Sequence, residues 1–103
     1  MSVAEISDRK AVLDAIGEYD AIGEAAFLDR YGFKPARKFH IRFNGRLYAS
    51  KAVLGAAHGR QFPRRGPLTS ADFSGGEQTI RQLQFLGFTI VDGPTGREVP
   101  PLA

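Results

Sequence analysis

The sequence predicts an α+β fold, in which a small three-stranded antiparallel sheet, one hairpin plus one later strand, packs against helices. Two patterns carry this expectation. Around Asn44-Gly45 apolar and polar residues alternate with the period of a strand, whereas on both sides of that segment apolar residues recur at helical spacing. A chain of 103 residues has room for one core and no second domain.

Ser7 is placed to cap a helix beginning at Asp8, along which Val12, Ile16 and Tyr19 recur beside Leu13. Gly17 and Gly23 weaken the run. Ile22, Ala26, Phe27 and Tyr31 nevertheless continue an apolar face, so residues 8–31 read as two short helices or one bent helix. Gly32 can adopt the left-handed conformation that ends a helix, and Pro35 prevents resumption. The hairpin follows, with Phe39-His40-Ile41-Arg42-Phe43 and Arg46-Leu47-Tyr48-Ala49 joined by a type I′ turn. That turn sets Phe43 opposite Arg46, Arg42 opposite Leu47 and Ile41 opposite Tyr48. Phe39, Ile41, Phe43 and Tyr48 then share the apolar side, and His40, Arg42, Leu47 and Ala49 a mixed, cationic one.

Ser50 reads as the cap of a short helix through Ala57, with Val53, Leu54 and Ala57 inward and Gly59 as its end. Residues 60–67 carry too much Pro and Gly for regular structure and read as an exposed, mobile loop bearing Arg60, Arg64 and Arg65. Ser74-Gly75-Gly76-Glu77 opens another helix, with Ile80, Leu83 and Phe85-Leu86 at helical spacing until Gly87 breaks it. Residues 88–91 are β-branched and aromatic, and fit a third antiparallel strand beside the hairpin. The domain is expected over 1–92, and 93–103 reads as a tail or linker.

Charge divides the chain into thirds. Up to Phe33 seven acids face three bases, whereas residues 34–66 hold nine Lys and Arg without one Asp or Glu. Solubility favours mixed signs, so this stretch points to a polyanion, gripped through charge and counterion release. The candidate contacts are Lys38, His40, Arg42, Arg46, Tyr48, Lys51, Arg60, Arg64 and Arg65, with the arginine loop able to enter a groove. Ser74, Gly75 and Gly76 join them, because N–H groups at a helix start can meet a phosphate. A tight turn with close packing is the plainer reading of the glycine pair, since Glu77 in the first turn opposes an anion.

Catalysis finds no footing in the residues. Cysteine is absent, His40 and His58 lack acidic partners at metal-ligand spacing, and no cofactor is implied. Ser50 and Lys51 are neighbours and point different ways, so they form no dyad. Asp14 and Glu18, one turn apart, look like a solvated helical face. No export signal and no run of about 18 apolar residues is visible, so a cytoplasmic chain without a membrane segment is expected.

An ordered series of motifs then carries a family resemblance: Phe27-Leu28 with Tyr31-Gly32-Phe33, Tyr48 with Ser50-Lys51-Ala52-Val53, Gly55-Ala56-Ala57-His58-Gly59, Leu68, Asp72-Phe73-Ser74-Gly75-Gly76 with Thr79, and Leu86-Gly87-Phe88. Over roughly residues 9–91 the chain resembles the amino-terminal head domain of McrA-like type IV, modification-dependent restriction endonucleases. The resemblance implies a bacterial DNA-restriction and phage-defence context, with modified-DNA readers and an HNH nuclease on other domains. This sequence has no HNH cluster, so none of the family's catalytic residues transfers to it. The expected role is a DNA-binding accessory domain, with DNA, modified or plain, and other endonuclease domains as partners. Two alternatives stand beside it: a docking or oligomerisation module of the same system, and a small-molecule or modified-nucleotide pocket between the hairpin and the Ser74-Gly75-Gly76 turn.

Overall fold

The computed structural model describes residues 3–102 and shows four α-helices and a three-stranded antiparallel sheet, the expected α+β class. After a short 3-10 turn at Val3–Glu5 come α1 (Arg9–Ile22), α2 (Glu24–Tyr31), β1 (Phe39–Phe43), β2 (Arg46–Ala49), α3 (Ser50–Gln61), α4 (Glu77–Phe85) and β3 (Thr89–Asp92). Strand order is β2-β1-β3, so the late strand pairs with the first arm of the hairpin. The hairpin register is the one its turn dictates, with Ile41 opposite Tyr48 and Phe43 opposite Arg46. Asn44 and Gly45 take φ values of 50° and 76°, as a type I′ turn requires.

The long amino-terminal run resolves into two helices. Gly23, at φ 88°, ends α1 by donating its N–H to the Tyr19 carbonyl, and α2 starts at the next residue. Asp8 caps α1 rather than Ser7, its carboxylate accepting from the Lys10 N–H at 2.9 Å. The Ser7 hydroxyl is taken by Gln61, which donates to it at 3.1 Å.

α3 departs most from expectation. Ser50 does not cap it; its hydroxyl donates to the Phe39 carbonyl at 3.0 Å, and Ala49 holds the cap position without a side-chain bond. Nor does Gly59 end it. The helix continues to Gln61 because tertiary contacts there outweigh the glycine penalty of about 1 kcal/mol. His58 is fully buried, and its Nδ1 lies 2.8 Å from the Gly66 carbonyl; as the carbonyl can only accept, Nδ1 carries the proton. Gln61 accepts from the Ser7 and Asp8 N–H groups and donates to the Glu5 carbonyl, fastening the start of the chain.

Residues from Ser50 to His58 are buried almost without interruption, on every side of the helix. α3 touches α1, α2, α4 and both strands of the hairpin. Small residues make that approach possible. A Cβ on Gly55 would lie 2.7 Å from the Phe33 ring and 2.9 Å from the Leu68 carbonyl oxygen. An aromatic group joins α1, α2 and β2, with Tyr19 at 4.8 Å from Phe27 and 5.0 Å from Tyr48 between ring centroids.

Of residues 60–67, expected as a mobile loop, Arg60 and Gln61 belong to α3 and the rest are held to the helix. Arg65 and Gly66 donate to the Phe62 carbonyl, and Leu68, buried, donates to the Gly55 carbonyl. Residues after β3 turn back on the sheet: Asp92 donates to Arg97, Val99 donates to Ile90, and Gln84 bonds Val99, Pro100 and Leu102.

A Cβ at Gly59 would stand 2.6 Å from the Pro67 nitrogen, a backbone atom that cannot swing aside. Gly59→Ala is therefore expected to lose about 1–3 kcal/mol through overpacking, read as a lower urea midpoint at unchanged slope. An unaltered midpoint would show that the 66–67 segment is free to move away.

Candidate nucleic-acid interface

The division of charge along the sequence closes on itself in space. Packing of α1 against α3 carries the acidic third over the basic one. Arg60 reaches Glu18 at 2.8 Å, Arg46 reaches Asp20 at 3.2 Å and Arg65 reaches Glu5 at 2.8 Å. Arg42, on the sheet, pairs with Glu98 of the returning carboxyl-terminal segment. The pairs of Arg42, Arg46 and Arg65 are partly exposed and worth about 0–1 kcal/mol each, so a phosphate can compete for these arginines.

Glu18 is different, because its side chain is only 10% exposed. It accepts from the Tyr31 hydroxyl at 2.6 Å, from Arg60 at 2.8 Å and from Arg30 at 2.5 Å, tying α1, α2 and α3 at one point. Burial acts to raise its pKa, but the three hydrogen bonds outweigh it and hold the carboxyl below the ordinary glutamate range. All three tyrosines donate to a carboxylate in this way, Tyr19 to Glu24 and Tyr48 to Asp20 being the others. Burial first, then the carboxylate partner, raises the pKa of each phenol. Tyr48 is 2% exposed, so its ring belongs to the core and offers no face for a base.

Three cations stand apart from any described carboxylate around a second feature, a cavity of about 200 Å³. The segment from Ala36 to Phe39 forms one wall, Ser50 and Lys51 at the start of α3 another, and Gly75 closes it. Arg37 and Lys38 are exposed. Lys51 is half-buried rather than exposed; its ammonium donates to the Ser70 carbonyl at 2.7 Å and lies 5.3 Å from the Phe73 ring centroid. The space between the hairpin and the Ser74-Gly75-Gly76 turn thus exists, with Arg37 added to the residues read from sequence. The signal for Arg37 was present in the run Lys34-Pro35-Ala36-Arg37-Lys38, three cations leading into β1.

The remaining candidates scatter. Arg64 is exposed beside an open hollow shared with Phe62 and Pro63, and Arg65 stacks over Phe62 at 5.1 Å. Arg60 sits within α3 rather than in the loop. His40 is half-buried against Gly93, with Nδ1 buried and unbonded among the described residues. The Ser74 hydroxyl accepts the Gly76 N–H at 3.1 Å, which removes that donor from any phosphate. Among the described residues no three His, Cys, Asp or Glu side chains gather as a metal site, and no helix is long and apolar enough to cross a membrane.

Comparison with known proteins matches residues 4–92 to a family described as "ScoMcrA-like, N-terminal head domain". Among solved structures, that of the "Type IV phosphorothioation-dependent restriction endonuclease ScoMcrA" is similar, at 30% identity and a TM-score of 0.61. The likeness covers 92% of this chain and 13% of that one, so the chain spans a small part of the length of the protein it matches. No curated protein matches.

Glu18 gives the fold an acid-sensitive joint. Its lowered folded pKa contributes stability that is full above the unfolded glutamate value, near ~4.3, and is lost as pH falls through the folded value. Glu18→Gln is expected to lower stability at neutral pH by about 1–3 kcal/mol and to flatten the acid limb of a stability-against-pH curve. Parallel curves for the two proteins would show that Glu18 has no part in the acid transition.

Proposed function

Because the chain belongs to the ScoMcrA-like N-terminal head-domain family, we propose that it is a DNA-contacting accessory module of a modification-dependent restriction endonuclease. In this reading it does no chemistry itself; cleavage, by an HNH nuclease, belongs to other domains of a bacterial, cytoplasmic phage-defence enzyme. The observation that carries it is the set of Arg37, Lys38 and Lys51 gathered at one cavity with no described carboxylate beside them. Cations without a carboxylate partner are open to an external anion, and a restriction system supplies one in the DNA backbone.

Arg42, Arg46, Arg60 and Arg65 enter this reading as secondary contacts, since a phosphate must first displace a carboxylate from each. Arg64, on the 62–66 turn, is free to reach the backbone directly. Tyr48 supports the fold and does not stack on a base. Contacts of this kind hold phosphates without reading bases, so duplexes of different base sequence bind alike.

A second reading, docking against other domains of the same enzyme, draws on Phe85, an aromatic side chain left 76% exposed at the end of α4. The two readings separate in solution. Duplex binding followed by fluorescence anisotropy at several salt concentrations is expected to weaken in the Arg37→Gln/Lys38→Gln/Lys51→Gln protein. The slope of log affinity against log salt should flatten by about one unit, because the three cations line one cavity and share one phosphate. A native circular dichroism spectrum with unchanged affinity and slope would remove this surface from DNA binding. No duplex binding by the unaltered chain at moderate salt would leave the docking module in front.

A further inference from the structure

We propose that the cavity between the segment entering β1, the first turn of α3 and Gly75 is an oxyanion site that takes one phosphate group. The inference deepens the nucleic-acid reading above, on which it rests for the source of the phosphate. Size is the first argument. At about 200 Å³ the cavity is below the range of roughly 300–1,000 Å³ that houses whole small-molecule ligands, so it is too small for a nucleotide and suits a single tetrahedral anion.

Charge is the second. Arg37, Lys38 and Lys51 line the space and no Asp or Glu does. Arg37 has no partner among the described residues, which leaves its whole guanidinium fork to be directed at an oxyanion. The Lys51 ammonium is anchored by the carbonyl and hydroxyl oxygens of Ser70, bonds that fix its position while leaving part of its donor capacity unused.

Backbone geometry adds to both. Ser50, which would ordinarily cap α3, donates instead to the Phe39 carbonyl, so no side chain covers the first N–H groups of a helix whose opening residues line the cavity. Gly75 keeps the opposite wall thin, since a Cβ there would already touch the Lys51 stem at 3.4 Å. Two cations from one chain segment, a third from a helix start and a side-chain-free wall surround one group, which is more than a solvated basic surface needs.

The test is a titration of the isotopically labelled chain with inorganic phosphate, followed by two-dimensional amide NMR against sodium chloride at matched ionic strength. Saturable shifts confined to the amides around Lys38, Lys51 and Gly75 are expected. Arg37→Gln, at an exposed and unpartnered position, should weaken phosphate binding about tenfold, the loss of one charge-assisted hydrogen bond, with a native circular dichroism spectrum. Lys38→Gln provides the same readout independently. Shifts no larger than those from chloride, or full affinity in both variants, would overturn the site. Two oligonucleotides of one sequence, with a 5′-phosphate or a 5′-hydroxyl, identify the source: tighter binding of the first assigns the site to strand ends, and equal binding to internal phosphodiesters. Saturable phosphate binding in a chain that ignores duplexes supports the site and sinks the duplex reading, and duplex binding without it does the reverse.

Discussion

The structure depends on burying one small-residue helix on all its sides. α3 carries Ala52, Gly55, Ala56, Ala57 and Gly59 within a single dozen residues, and three other helices and both strands of the hairpin close on it as no bulkier helix would allow. Phe33 and Leu68 meet it at Gly55, Pro67 at Gly59, and α1 runs along it. The helix in turn presents His58 and Gln61 to the segments on either side, so the carbonyl of Gly66 and the amides of Ser7 and Asp8 find partners in the same element. Local propensity disfavours such a glycine-bearing helix; tertiary packing supplies what propensity withholds.

The same packing governs electrostatics. A chain whose thirds alternate in charge would be expected to present a strong dipole, yet α1 and α3 lie together and four of the nine central cations, Arg42, Arg46, Arg60 and Arg65, meet carboxylates. Apart from Arg64 on the 62–66 turn, what gathers without carboxylates is local: the short basic run before β1 and the lysine in the first turn of α3. Surface charge therefore reports on partners only after internal pairs have been subtracted, and here the subtraction moves attention from the hairpin tip to its entrance.

Much of the architecture was legible because it rests on local chemistry. The Asn44-Gly45 turn fixes a register that holds residue by residue, and Gly32 and Gly87, at φ 75° and 88°, end their helices as backbone sterics demand. The helix starts were misread at Ser7 and Ser50, since a serine hydroxyl signals a cap only if nothing distant claims it, and here Gln61 and the Phe39 carbonyl do. Gly59 was misread as an ending because its reason for being glycine lies in Pro67, a contact that no periodicity shows. The candidate site divided in the same way. Lys38, Lys51 and Gly75 were visible as residue types, whereas the pairing of Arg42, Arg46, Arg60 and Arg65, the burial of Tyr48 and the inclusion of Arg37 follow from the arrangement of helices in space.

β2 ends at Ala49 and α3 begins at Ser50, with no residue between them. A strand that becomes a helix without a connecting loop has no hinge, and Ala49 and Ser50 are both buried at the junction. The hairpin and α3 are thus one stiff piece, further pinned where Ser50 bonds back to Phe39. A group entering between Lys38 and Lys51 would meet backbone walls whose separation was set when the chain folded. The backbone of such a gap would have little freedom left to lose on association, and the cost of ordering would fall on the exposed side chains of Arg37 and Lys38.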